Sequence, residues 1–202
     1  MIGIIDYGAG NLCSVYNAFK FLDQKVVICD KAKQLDIVDK IVLPGVGSSK
    51  DAMTFLKEKG FIEPLLYNIK KGKYFLGICL GLQLLFMKSE EGIGCDCLKI
   101  VDGDVKLFPK QQGLKVPQIG WNTVNIKNKD CPILKGIKNN TYFYFVHSYY
   151  CDNKGKKYSI GYTEYSVNYT SILWKENIFA TQFHPERSQE NGLKILKNFG
   201  EI

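Results

Sequence analysis

A cysteine enclosed between two glycines is the strongest chemical feature of the sequence. Cys79 stands in Gly77-Ile78-Cys79-Leu80-Gly81, after an apolar run that predicts a strand and before a stretch that predicts a helix. A nucleophile on such a sharp turn needs neighbours without side chains, and a helix N-terminus favours the thiolate. A free cysteine is more often a small buried apolar residue. The flanking glycines favour a nucleophile for Cys79, and the other six cysteines are interpreted as buried or unreactive thiols.

Only two histidines are available as the base that a cysteine nucleophile requires. His184 follows an apolar strand and has a carboxylate, Glu186, two residues further on that could hold its ring in one tautomer. His147 lies in a strongly aromatic segment and could instead be a buried structural histidine. The spacing therefore favours His184 as the base over His147.

A glycine-containing loop supplies a candidate oxyanion site. Pro44-Gly45-Val46-Gly47 ends an apolar run, and its backbone N–H groups could point at a developing oxyanion. Taken alone, the loop could equally be an ordinary strand-to-helix turn. Ligands of open parallel sheets bind at the carboxyl ends of the strands, which would place this loop beside Cys79.

These groups need a scaffold, and the first half of the chain alternates apolar runs with helical periodicity. Strands are predicted at 2–5, 26–29, 41–43 and 74–78. Helices are predicted over 12–22, from Ser48 or Ser49 through Leu56, over 61–71 and over 80–87. This alternation predicts crossover units and a mainly parallel, doubly wound α/β sheet.

The second half of the chain changes character. Aromatic and β-branched segments at 142–146, 158–162, 171–174 and 178–183 predict antiparallel strands and hairpins, and a last helix follows Ser188. The segment Gly120-Trp121-Asn122 is interpreted as a turn. No repeat or linker is found, so residues 1–202 are predicted to form a single domain.

Composition excludes several classes of function. The chain has 202 residues, 46% of them hydrophobic, which is typical of a globular domain. The net charge of +7 is spread over short clusters broken by glycines, which disfavours nucleic-acid binding. Those clusters are Lys70, Lys71 and Lys73, and Lys154, Lys156 and Lys157.

Metal binding, membrane spanning and secretion are also disfavoured. The closest cysteines, Cys95 and Cys97, are separated by one residue, which is fewer than zinc sites usually have. The longest apolar run, 74–87, is shorter than a membrane span needs. The sequence starts without a secretory pattern, and with its free thiols this predicts a cytoplasmic protein.

Taken together, these segments resemble the class I (triad-type) glutamine amidotransferase family. The segment from Gly77 to Gln83 is similar to the family's nucleophile segment, and Phe183-His184-Pro185-Glu186 to its His and Glu. The resemblance spans the chain and implies a flavodoxin-like, doubly wound, mainly parallel sheet with an antiparallel hairpin extension. Within the family the motifs most resemble the glutaminase subunits of imidazole glycerol phosphate synthase, through 4–12, 44–47, 116–122, 145–150 and 182–189.

The resemblance implies a role for each candidate residue. Cys79 would attack the side-chain amide of glutamine to give a glutamyl thioester and ammonia, His184 would transfer protons, and Glu186 would orient His184. His147 becomes a wall of the glutamine site. The remaining roles are the oxyanion hole, from Val46 and Leu80; glutamine binding, by Gly45, Gly47, Gln83, Ser148 and Tyr149; and the partner interface, at Tyr7, Asn11, Trp121 and Asn122.

The resemblance also implies a partner and no cofactor or metal. The partner would be a (β/α)₈-barrel cyclase subunit that uses the ammonia to form imidazole glycerol phosphate and aminoimidazole carboxamide ribotide in histidine biosynthesis. One departure is Gln118, where the family usually has His. It leaves open a related synthase as the partner, for example one that acts on a sugar. A cysteine peptidase and a non-catalytic scaffold are disfavoured by the glutamine-site motifs and the intact triad.

Overall fold

In the computed structural model, which describes residues 1–8, 11–153 and 157–202, five parallel strands form one side of a mixed sheet. They are β1 (Ile2–Ile5), β2 (Val26–Cys29), β3 (Lys40–Leu43), β4 (Tyr74–Ile78) and β13 (Ile178–Thr181), in the order β2-β1-β3-β4-β13. Ala9 and Gly10 of the opening motif, and Lys154 and Lys156 of one basic cluster, lie outside the described residues.

Antiparallel strands extend the sheet beyond β13. They include β7 (Asp104–Leu107), β8 (Gln118–Ile126), β9 (Thr141–His147), β10 (Tyr149–Asp152), β11 (Ser159–Glu164) and β12 (Asn168–Lys175). Two short strands, β5 (Lys88–Ser89) and β6 (Cys95–Asp96), complete the far edge. The predicted fold class, a doubly wound parallel sheet with an antiparallel extension, is confirmed.

Helices cover both faces of the parallel strands. The helices are α1 (Leu12–Phe21), α2 (Ser49–Glu58), α3 (Ile62–Lys70), α4 (Leu80–Gln83) and α5 (Gln189–Glu201). Side chains alternate along a strand, so Ile4 packs with Phe19 and Phe199 under α1 and α5, whereas Ile5 packs under α2 and α3. β1 is buried on both faces and therefore reads as a continuous apolar run, whereas the edge strand β2 exposes Ile28. Among the described helices, none has both the length and the apolar character to cross a bilayer.

The helix after Cys79 is shorter than predicted. The prediction of a helix over 80–87 is wrong, because α4 ends at Gln83. The Met87 N–H, which a helix through residue 87 would direct to the Gln83 carbonyl, donates instead to the Gly103 carbonyl at 3.1 Å. The carbonyls of Leu84 and Phe86, from which such a helix would continue, accept from Leu98 and Lys99 at 2.9 and 3.0 Å. Tertiary hydrogen bonds therefore use the backbone that a longer helix would need.

Two further expectations are corrected in the second half. Gly120-Trp121-Asn122 is not a turn, since it lies inside β8, which pairs with β9 from Gln118 to Val124. The segment predicted at 178–183 as one of several antiparallel strands ends at Thr181 and pairs in parallel with β4 as well as antiparallel with β12. This insertion of β13 beside β4 brings the two chain segments that carry Cys79 and His184 together.

Candidate active site

Cys79 occupies a strained turn at the carboxyl end of β4. Its φ of 53° and ψ of −101° lie in a sparsely populated region that costs about 1–3 kcal/mol. The Cys79 N–H donates to the Thr181 carbonyl at 2.7 Å, which fixes the turn to β13. A Cβ atom on Gly81 would lie 2.0 Å from the Leu43 carbonyl oxygen, and one on Gly77 would lie 2.6 Å from the Gly81 oxygen. The two glycines are therefore required by close backbone packing on either side of the cysteine.

A buried pair, His184 and Glu186, follows β13. The His184 Nδ1 atom lies 2.8 Å from Glu186 Oε1, and both side chains are at most 1% exposed. A 3₁₀ turn over Pro185–Arg187 returns the carboxylate to the ring. Among the described residues, His184 Nε2 and Glu186 Oε2 have no hydrogen-bond partner, so the far nitrogen of the ring remains available.

The electrostatics of the pair favour a charged imidazole. Burial opposes the charge on His184, but the Cys79 thiolate and the Glu186 carboxylate outweigh it and raise the pKa of His184 to about 10. Because His184 Nε2 has no hydrogen-bond partner among the described residues, the effect of Cys79 on the ring is mainly that of its charge. Since α4 has only one turn, this cation is a stronger support for the thiolate than the helix dipole invoked from the sequence.

His147 has a different environment. Its Nδ1 lies 2.8 Å from the Tyr149 carbonyl oxygen and its Nε2 lies 3.2 Å from the Tyr169 hydroxyl. Burial lowers the pKa of His147 to about 4. Both ring nitrogens are occupied, so this side chain suits a wall of the site and not a proton carrier.

A cavity of about 290 Å³ opens at the Cys79 turn. It brings together most of the sequence-predicted glutamine-site residues; the lining is Val46, Gly47, Cys79, Leu80, Gln83, Glu91, Pro117, Val146, His147, Ser148 and Tyr149. Gly45, which was also predicted to bind glutamine, is not among these lining residues; its carbonyl oxygen lies 3.4 Å from the nitrogen of Leu80. Glu91 was missed by sequence reasoning, because it follows α4 in an irregular segment and no spacing connects it to Cys79. It is the one carboxylate among the described lining residues.

Of the two predicted oxyanion donors, both line the cavity, and the N–H of Leu80 is already occupied. The Leu80 N–H points to the Gly45 carbonyl at 3.4 Å, a long and weak hydrogen bond. Behind it, the Tyr7 hydroxyl donates to the Pro44 carbonyl at 3.0 Å, and a Cβ atom on Gly45 would lie 2.3 Å from that hydroxyl. The expectation that Tyr7 lies on a partner face is corrected, because its side chain is 1% exposed and supports the loop from inside.

The other three residues expected at a partner interface have separate environments. Asn11 donates from its side-chain amide to Glu186 Oε1, so it also supports the triad. Trp121 is 46% exposed on β8. Asn122 follows it on the opposite face of the strand and donates to the Glu164 carbonyl at 2.9 Å. Trp121 and Asn122 therefore cannot face one flat surface together.

Comparison with known proteins defines the class. The sequence pattern of the family described as Glutamine amidotransferase class-I matches residues 3–201, and the chain belongs to this family. It is 51% identical to the imidazole glycerol phosphate synthase subunit HisH of Caldanaerobacter subterraneus, covering 100% of this chain and 98% of that protein. It is 48% identical to the subunit HisH of Methanocaldococcus jannaschii, with full coverage of both chains.

Solved structures agree on the fold. A crystal structure of a glutamine amidotransferase superposes with a TM-score of 0.76 at 15% identity, covering 100% of this chain and 99% of the other. The structure of PurLQS from Thermotoga maritima superposes with a TM-score of 0.75 at 18% identity, covering 98% and 96%. The shared fold therefore persists where little sequence identity remains.

Proposed function

We propose that this chain is the glutaminase subunit of an imidazole glycerol phosphate synthase, which hydrolyses glutamine and passes the ammonia to a cyclase subunit. The observation that carries the proposal is the Cys79 turn, which opens on a 290 Å³ cavity beside the buried His184–Glu186 pair. Relatives called HisH at 48–51% identity over the whole chain support the pathway. We also propose that residues 1–202 form one amidotransferase domain working in the cytoplasm.

Glutamine binding is assigned to the groups that line the cavity. Gln83 donates from its side-chain nitrogen to the Tyr149 carbonyl at 3.0 Å and to Gln182 at 3.4 Å, which leaves its oxygen to accept from the ammonium group of the substrate. Glu91 supplies a negative charge for the same ammonium group. The backbone at Ser148 and Tyr149 holds the amino-acid end, and the side-chain amide of the substrate reaches Cys79.

Hydrolysis then proceeds in two halves. The Cys79 thiolate attacks the amide carbon, and the charge on oxygen is accepted by the N–H groups of Val46 and Leu80, for which the weak bond to the Gly45 carbonyl must open. Protonated His184 gives its proton to the leaving nitrogen, so ammonia departs and a thioester remains. Neutral His184 next removes a proton from water, which attacks the thioester. Glutamate leaves and the thiolate and imidazolium are restored.

The acceptor enzyme is proposed to be the (β/α)₈-barrel cyclase of histidine biosynthesis. The alternative, a related synthase, rests on Gln118. This side chain is 3% exposed and its Oε1 atom lies 2.9 Å from the Tyr169 hydroxyl, inside the hydrogen-bond network around His147. A substitution inside that network does not alter an exposed partner surface, so Gln118 gives the alternative little support.

The test compares two ammonia sources in the complex with the barrel cyclase. We expect Cys79→Ala to abolish synthesis from glutamine and to leave synthesis from added ammonium unchanged, because only ammonia release needs the thiolate. Cys95→Ala should change neither reaction. Glutamine hydrolysis at the parent rate by Cys79→Ala would refute the nucleophile assignment. Failure of the parent complex to make imidazole glycerol phosphate from glutamine would refute the pathway.

A further inference from the structure

Gln182 is a buried polar residue to which the proposed mechanism gives no role. It directly follows β13, one residue beyond Thr181, and none of its surface is exposed. Its backbone N–H donates to the Ser171 carbonyl at 2.9 Å, which holds the residue against β12. A buried amide without partners would be costly, so the side chain must be satisfied inside the site.

The side-chain amide of Gln182 reaches the nucleophile. Its Nε2 atom lies 3.6 Å from Cys79 Sγ, within hydrogen-bond distance for sulfur. Its Oε1 atom accepts from Gln83 Nε2 at 3.4 Å and from the Cys151 thiol at 3.9 Å. One amide therefore connects the sulfur atom that reacts to a residue that lines the glutamine cavity.

Hydrogen-bond direction determines which end of the amide faces the sulfur. The Tyr149 carbonyl can only accept, so Gln83 must present its NH₂ group to it. That NH₂ group also lies next to Gln182, whose oxygen must face it. With the oxygen so placed, the NH₂ group of Gln182 points at Cys79 Sγ. The donor is thus oriented through a chain of partners that ends at a backbone carbonyl.

We propose that Gln182 is a further catalytic residue, which donates a side-chain N–H to the Cys79 sulfur and stabilises its thiolate. The inference rests on the proposed glutaminase function. An N–H donor to an ionised sulfur is stronger than one to a neutral thiol or thioester. Gln182 therefore favours the two states in which sulfur carries charge: the free nucleophile, and the leaving group when water opens the thioester.

The test removes the NH₂ group of Gln182 and measures the reactivity of the Cys79 sulfur. Gln182→Met keeps an unbranched chain of similar length without an N–H group, and Gln182→Glu replaces the NH₂ by oxygen while keeping the acceptor toward Gln83. The readout is the pH profile of Cys79 alkylation by iodoacetamide, measured by mass spectrometry of its peptide, because Cys79 is buried whereas Cys13 is exposed and would also react. Both profiles should shift to higher pH, more so for Glu, whose carboxylate repels the thiolate.

Turnover should change with the profile. In the complex with the barrel cyclase we expect kcat for glutamine hydrolysis to fall about 10- to 100-fold, the range for a lost hydrogen bond to a charged group, with a smaller change in KM. Cys151→Ala is the matched control, because it removes only a contact to the side-chain oxygen of Gln182 and leaves the NH₂ group in place. Its alkylation profile and its kcat should match those of the parent.

The outcomes separate this inference from the proposed function. A folded Gln182→Glu variant whose alkylation profile superimposes on that of the parent refutes the inference, and it does so even if Gln182→Met fails to fold. An equal shift in Cys151→Ala would assign the effect to general repacking and also refute it. A parent complex that does not hydrolyse glutamine would instead refute the proposed function.

Discussion

The two histidines of the chain differ in what surrounds their rings. His184 sits between a thiolate and a carboxylate, which together raise its pKa to about 10, so it carries a proton at neutral pH. His147 faces a carbonyl oxygen and a hydroxyl, and burial lowers its pKa to about 4, so it is neutral. Only the first environment provides a proton that can be delivered to a leaving group and recovered.

This difference predicts unequal losses on truncation. His184→Ala should lower kcat for glutamine hydrolysis by about 10²- to 10⁴-fold, the range for a general acid–base group. His147→Ala should mainly raise KM, because it removes a wall of the cavity. Steady-state kinetics of both variants in the cyclase complex give the comparison. Equal losses in kcat would overturn the assignment of the base.

The candidate catalytic residues could be predicted from the sequence because short patterns of residue types indicate them. A cysteine between glycines and a His two residues before a Glu are local patterns, so Cys79, His184 and Glu186 can be predicted from the chain alone. Glu91 and Gln182 were not, because their roles depend on distances between segments that only the folded chain brings together. Tyr7 was placed wrongly, since nothing in its neighbourhood indicates that it points inward.

The candidate active site depends on a close backbone contact between β3 and α4. Gly81 allows this contact, since a Cβ atom there would lie 2.0 Å from the Leu43 carbonyl oxygen. Neither strand nor helix can move away cheaply, because β3 lies between β1 and β4 in the sheet. The glycine pattern predicted the turn, but the length of α4 and the strand β8 were not predictable, since both are determined by tertiary pairing.

Replacing this glycine should therefore damage both stability and activity. We expect Gly81→Ala to lose about 3 kcal/mol of unfolding free energy, at the upper end for overpacking, and to lose glutamine hydrolysis as the Cys79 turn is displaced. Gly200→Ala is the matched control: it also lies in a helix, and its Cβ atom would meet only the flexible end of Gln24. That variant should stay within about 1 kcal/mol of the parent.

Urea unfolding followed by circular dichroism measures the two variants side by side, and glutaminase assays accompany it. If Gly81→Ala unfolds at the same urea concentration as Gly200→Ala and retains activity, the contact between β3 and α4 can accommodate a Cβ atom and does not position Cys79. The positioning of Cys79 would then have to come from the hydrogen bond between its N–H and Thr181.

The proposed transfer of ammonia to a cyclase subunit requires an exit from the site that avoids bulk water. β8 and β9 lie next to the triad, because the His184 N–H donates to the Tyr144 carbonyl at 2.9 Å, and Tyr144 is the register partner of Trp121. The outward face of β8 carries Ile119 and Trp121, both exposed. Exposed apolar side chains grouped beside a site are typical of a protein interface, which fits the proposed cyclase contact.

Trp121 provides the test of that surface. Its ring packs edge-on against the Tyr144 ring, with 6.1 Å between the ring centroids, and Trp121 is 46% exposed. It can therefore make a large contact with a partner while contributing little to the stability of the isolated chain. We expect Trp121→Ala to weaken cyclase binding by about 2 kcal/mol or more, roughly 30-fold in Kd, with little change in the Tm of the isolated subunit. The control is Phe21→Ala, which replaces an exposed aromatic residue at the far end of α1 from Asn11 and the triad.

Titration calorimetry and thermal melting of both variants distinguish the outcomes. An unchanged affinity of Trp121→Ala for the cyclase would remove Trp121 from the interface. A large fall in the Tm of Trp121→Ala would show that this side chain stabilises the fold instead.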